Sequence, residues 1–135
     1  MTEDWGVILV VDDDAEMREL VHDVLKGRGH QVSTAGGGEE ALKLLAEQDC
    51  AVVVTDLRMK GMQGTELLAE IQRLYPDIGV ILMTAFGSVD NAVEAMKRGA
   101  SDYLTKPVEP ARLRTMLANL ARTRDLLPQI HVLRG

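Results

Sequence analysis

Aromatic residues are nearly absent: one Trp, one Phe and two Tyr make up 3% of the 135 residues. A core for this chain must therefore be built from Val, Leu, Ile, Ala and Met. Cysteine is represented by Cys50 alone, which excludes an internal disulfide. Its place at the start of an apolar run predicts a buried structural thiol. No apolar run approaches the roughly 18–20 residues that would span a bilayer. The opening residues, MTEDWG, lack the basic and apolar regions of a signal peptide. These absences together predict a cytoplasmic protein. Phosphate-cradling glycine loops are missing too: no GxGxxG follows the first apolar run, and there is no P-loop motif. Gly36-Gly37-Gly38 follows the second run and reads as a turn. His22, His30 and His131 have no ligand-like neighbours and read as ordinary surface or core histidines.

What is present is acid. The formal charge of −6 argues against general nucleic-acid binding. It is unevenly spread: from Arg112 onward five Arg face one acid, a net of +4, which leaves −10 on residues 1–111. The length suits one domain with a single core.

Apolar runs and helical stripes alternate along the chain. Gly6 to Val11 reads as a buried strand ending in Asp12, Asp13 and Asp14. A helix follows with Met17, Leu20, Val21, Val24 and Leu25 on one face, capped by Asp14 and stopped at Gly29. His30 to Ala35 is a short strand, and Ala41, Leu42 and Leu45 mark the next helix. Cys50 to Thr55 is a continuous apolar run of the kind buried on both faces of a parallel sheet, and it runs into Asp56. Then come a helix with Leu67, Leu68, Ile71 and Leu74 inward, and a strand from Ile78 to Met83 with Thr84 at its end. A stripe of Val89, Ala92, Val93 and Met96 precedes a strand from Ser101 to Thr105, which runs into Lys106-Pro107. The last helix begins near Glu109 and presents Leu113, Leu117 and Leu120. Five strand–helix pairs with short loops predict an α/β, doubly wound, three-layer domain around a parallel sheet.

Ligands of such sheets bind outside the carboxyl edge. There the sequence places Asp12 and Asp13, Asp56, Thr84 and Lys106, each directly ending an apolar run. Two like charges about 4 Å apart repel by roughly 4 kcal/mol at an effective dielectric of about 20. Three carboxylates are not balanced by one Lys, so protons or a cation must join them. All the donors are hard oxygens, which favours Mg2+ over zinc. The same parts suit phosphoryl transfer, and with no Ser, Cys or His at these strand ends, Asp56 can accept the group as an aspartyl phosphate. The competing reading is plainer: Asp13 and Asp14 cap the first helix, Asp56 caps a turn, and Lys106 pairs with one of them.

The stretches ILVVDDD (8–14), VVVTDLRM (52–59), ILMTA (81–85) and DYLTKP (102–107), in that order, resemble the receiver domain of bacterial two-component response regulators. The resemblance covers residues 7 to about 122. It implies the flavodoxin-like receiver fold with strand order 2-1-3-4-5, and Asp56 as the acceptor of phosphate from a sensor histidine kinase. It implies Asp13, Asp56 and the backbone carbonyl of Arg58 as direct Mg2+ ligands, with Asp12 acting through water. Lys106 would contact the phosphoryl group, Thr84 and Tyr103 would form a coupled switch pair, and the Lys106–Pro107 bond would be cis. One departure is Lys60, where receivers usually carry proline after the residue matching Met59. It removes no ligand, but it predicts a looser loop with a positive charge close to the metal.

The segment TAFGSVDNAVEAMKRGASDYLTKP further resembles receivers of NtrC-type transcriptional activators, in which an ATPase and a DNA-binding domain follow. The expected division is a receiver over 1–122 and the start of an interdomain linker or amphipathic tail over 123–135. Leu120, Leu126, Leu127, Ile130 and Leu133 have no obvious place in a receiver core, and Pro128 breaks the helix. On this reading the chain is cut from a longer protein and its output domain is missing. A stand-alone phosphorelay receiver is the alternative. The expected partners are a sensor histidine kinase and a second copy, through the fourth helix, fifth strand and fifth helix or through the linker. Nucleic acid and membrane are not expected partners. An aspartate-nucleophile phosphohydrolase of the haloacid dehalogenase type fits less well, because it needs an Asp where Arg58 stands. An enzyme is therefore not expected.

Overall fold

The computed structural model describes residues 6–27, 29–85 and 89–120. Five strands, β1 (Val7–Val11), β2 (Val32–Ala35), β3 (Cys50–Asp56), β4 (Gly79–Thr84) and β5 (Asp102–Thr105), form one parallel sheet in the order β2-β1-β3-β4-β5. Helices α1 (Ala15–Lys26), α2 (Gly38–Glu47), α3 (Gly64–Leu74) and α4 (Val89–Lys97) connect them, and a fifth, α5, covers 110–120.

The three layers follow from the alternation of side chains along each strand. Ile8, Val10, Val52, Val54, Ile81 and Met83 point to the face covered by Val21 and Leu25 of α1 and by Leu113, Met116 and Leu117 of α5. Leu9, Val11, Val53, Val80 and Leu82 point the other way, against Ala41 and Leu45 of α2, Leu67, Leu68 and Ile71 of α3 and Ala95 of α4. All seven residues of β3 are buried, as its unbroken apolar run predicts. Each fully buried Leu or Ile contributes about 1.5–3 kcal/mol of apolar burial.

Several expectations need correction. Leu20, Leu74, Val93 and Met96 are exposed, so the inward stripes of α1, α3 and α4 are narrower than the sequence suggests. Ala95 is the buried residue among the described side chains of α4, and the side chains of Val89 and Ala92 lie outside the described residues. A short helix over a sheet needs few apolar contacts, and apolar residues beyond them face outward. Leu120 does have a place in the core, packing against the α1/α5 cluster. The first helix stops at Gly27, before Gly29. Gly29 still closes that end, because its φ of +90° lets its N–H reach Lys26 and the next N–H reach Leu25. Asp14 caps the helix as expected, its carboxylate accepting the Glu16 N–H at 3.0 Å. The tail residues Leu126, Leu127, Pro128, Ile130, His131 and Leu133 lie outside the described residues, as does the expected boundary at 122.

Cys50 is buried at the start of β3. Burial, and then the charge of Asp49, push its thiol up to about 11. The thiolate is the reactive form. Iodoacetamide at pH 8 is therefore expected to label native Cys50 at least about 100-fold more slowly than the unfolded chain, by intact mass. Equal rates would show that the thiol is neither buried nor raised.

Candidate functional site

The carboxyl edge of the sheet is held by backbone bonds that run one residue past the strands. The Asp12 N–H donates to the Ala35 carbonyl at 3.1 Å, Leu57 N–H to Met83 at 2.7 Å, and Lys106 N–H to Thr84 at 2.8 Å. With β1 paired to β3 up to Val11 opposite Thr55, these bonds fix the residues that end β1, β3, β4 and β5 relative to one another before any side chain is considered.

Asp12, Asp13 and Asp56 converge, each offering an oxygen within 4.8 Å of the others'. Asp12 is fully buried, Asp56 nearly so, and Asp13 is exposed. The Lys106 ammonium lies 3.2 Å from Asp12 Oδ2 and 3.3 Å from Asp56 Oδ2. Asp12 accepts three bonds: Oδ1 from the Asp14 N–H at 2.9 Å, Oδ2 from Lys106, and its backbone carbonyl from Arg18 Nη1 at 2.7 Å. Asp13 Oδ2 accepts the Lys60 backbone N–H at 3.0 Å. Thr84 is buried at the end of β4, and the Lys106–Pro107 bond is cis. Tyr103 is half-buried on β5, opposite Leu82 in the register.

The plainer reading of these residues is half right. Asp14 caps α1 and Lys106 pairs with acids, yet Lys106 pairs with two of them at once and Asp13 reaches across to the β3–α3 loop. Burial, and then the charge of Asp12, raise the Asp56 carboxyl above its ordinary value. The Lys106 ammonium and the Arg58 backbone N–H act the other way without cancelling that rise. An ionised Asp56 therefore costs the fold stability at neutral pH, and the cost is relieved as pH falls through its raised folded value. Burial alone would lower Lys106, but the hydrogen bond and charge of Asp12, then those of Asp56, outweigh it and raise the ammonium.

A second cation fits this site. One ammonium, paired with Asp12 and Asp56, stands among three carboxylates, all donors are hard oxygens, and burial and the charge of Asp12 leave the Asp56 carboxyl raised. Two contributors were not visible in the sequence. Arg18, one turn into α1, bonds the Asp12 carbonyl, and the Lys60 amide bonds Asp13. The expected loosening of the loop at Lys60 has this bond set against it, one that a proline, lacking an N–H, could not make.

The sequence profile of the response regulator receiver domain matches residues 8–118. The response regulator protein FleR of Pseudomonas aeruginosa is 44% identical over 114 residues, 84% of this chain and 24% of its own length. The transcriptional regulatory protein ZraR of Klebsiella oxytoca is 45% identical over 118 residues, 87% of this chain and 27% of its own length. The chain thus spans about a quarter of the length of these curated relatives. Among solved structures, NtrX from Brucella abortus superposes with a TM-score of 0.90 at 31% identity, covering 96% of this chain and 30% of that one. A response regulator receiver domain protein from Clostridium thermocellum superposes with a TM-score of 0.85 at 35% identity, covering 90% of this chain and 98% of that one.

Proposed function

Because the chain belongs to the response regulator receiver domain family, we propose that it is a phosphorylation switch that takes a phosphoryl group on Asp56 from the phosphohistidine of a sensor kinase. The observation that carries this reading is the junction of Lys106 with both buried acids, Asp12 and Asp56, at the carboxyl edge of the sheet.

Asp56 is the acceptor: one of its oxygens bonds to phosphorus as the bond from phosphorus to the kinase imidazole nitrogen breaks, and the electron pair of that bond leaves with the imidazole. Lys106 holds the Asp56 carboxylate in place and supplies positive charge where phosphoryl oxygens arrive. The residues that would hold Mg2+ are Asp13, Asp56 and the Arg58 carbonyl directly, with Asp12 acting through water. Each Asp12 carboxylate oxygen already accepts one bond, from the Asp14 N–H and from Lys106, which supports its less direct role. When bound, the ion would neutralise charge on the acids and on the incoming phosphoryl oxygens. The acyl phosphate would then draw the Thr84 hydroxyl inward and let Tyr103 follow, changing the face made by α4, β5 and α5. That face would report to an output domain, of transcriptional type by analogy with the named relatives.

Beryllofluoride with Mg2+ stands in for the aspartyl phosphate. The expected result is a large change in the amide resonances of Thr84 and Tyr103 and of α4, sharply reduced in Thr84→Ala. Changes confined to residues touching Asp56 would show a site that binds but does not switch. Continuous hydrolysis of p-nitrophenyl phosphate would favour the phosphohydrolase instead.

A further inference from the structure

We infer that the backbone amide of Lys60 is a positioning group for the acid cluster: by tethering Asp13 to the β3–α3 loop it sets that carboxylate for a divalent cation. The inference rests on the reading that these acids bind Mg2+.

Asp13 differs from its two neighbours. Asp12 is buried and bonded by Asp14 and Lys106, and Asp56 is buried and bonded by Lys106. Asp13 is exposed, and among the described residues the Lys60 N–H at 3.0 Å is the contact that orients its side chain. The two residues are 47 positions apart, so the bond joins the loop after β1 to the loop after β3.

The donor itself is fixed from both sides. Met59 is buried, its sulfur lies 3.9 Å from the Thr55 hydroxyl, and its carbonyl accepts the Gln63 side-chain amide at 2.7 Å. Gly61 follows with a φ of +77°, a left-handed backbone conformation that bends the chain directly after Lys60. Glu66 at the start of α3 accepts the Gln63 N–H at 2.8 Å and braces the far end of the loop. These contacts hold the amide in front of Asp13. A bond to Oδ2 leaves Oδ1 with its lone pairs for a cation. Without it, an exposed carboxylate must give up side-chain freedom when the cation binds, which weakens binding.

Substituting Lys60 separates the amide from the side chain. Lys60→Ala keeps the N–H and removes the charge, whereas Lys60→Pro removes both. Mg2+ alone is titrated into the 15N-labelled full chain and followed by amide shifts. Lys60→Ala is expected to bind within about twofold of the parent, and Lys60→Pro about 3- to 10-fold more weakly than Lys60→Ala. Equal affinities of the two variants would overturn the tether. A second readout needs no metal: exchange of the Lys60 amide in the metal-free chain should quicken about tenfold in Asp13→Ala. An unchanged rate would overturn the tether even if Lys60→Pro fails to fold. Failure of the parent to bind Mg2+ would overturn the metal reading, and with it the inferred role of the tether. The exchange rate would still show whether the bond itself exists.

Discussion

Lys106→Met is expected to lower the stability of the metal-free protein by about 3 kcal/mol at neutral pH, and the thermal midpoint by roughly 10 °C. Methionine nearly matches the lysine stem in shape, so the loss is electrostatic. The variant leaves Asp12, fully buried, and Asp56, nearly so, facing each other with no counter-charge. Removing one partner of a buried pair costs about 3–5 kcal/mol, and the lower end applies because the Lys106 side chain keeps 17% of its exposure. Two features separate this account from a packing defect. The loss should shrink as pH falls, because Asp56 is already raised and can neutralise itself by taking up a proton. Mg2+ should also stabilise the variant more than the parent, since it restores charge where the ammonium was. Scanning calorimetry at two pH values with and without Mg2+ decides the matter. A loss independent of pH and Mg2+ would show that Lys106 acts through packing.

Gly64→Ala is expected to cost about 2–4 kcal/mol and to disturb the site as well. Gly64 opens α3 and donates its N–H to the Leu57 carbonyl at 2.8 Å. A Cβ there would overlap the Asp56 carbonyl oxygen and come within 2.9 Å of Leu57 Cα. Both obstacles are backbone, so no side-chain rotation relieves the clash. Either α3 withdraws Leu67, Leu68 and Ile71 from the core, or the end of β3 moves and carries Asp56 with it. Gly37→Ala is the control, because a Cβ there meets nothing within 4 Å and the backbone is extended. Urea midpoints of the two variants should differ by the full cost, and equal midpoints would refute the close approach of α3 to β3.

Much of this fold is written in the alternation of apolar runs and helical stripes. The β3 run from Cys50 and the strand ends at Asp12, Asp56, Thr84 and Lys106 place the site without any structure, because a parallel sheet brings its carboxyl ends to one rim. Periodicity misleads at the helix margins. Leu20, Leu74, Val93 and Met96 keep helical spacing yet face solvent, since spacing reports the shared side of a helix and not how much of that side is covered. Leu120 is the opposite case: set on the last helix but denied a place in the core, it packs, partly buried, against the α1/α5 cluster. Backbone contributors are invisible in principle. Nothing in the identity of residue 60 says that its N–H bonds to Asp13, and the approach of Gly64 to Asp56 depends on the path of the loop between them.

The central claim is that Asp56 is a phosphoryl acceptor served by a metal at the acid cluster. Intact-mass spectrometry after incubation with acetyl phosphate tests it, with Mg2+, with the metal chelated, and on Asp56→Asn. The account predicts one added phosphoryl group per chain that requires Mg2+ and is absent from the variant. No addition to the parent, or an undiminished addition to Asp56→Asn, would contradict it.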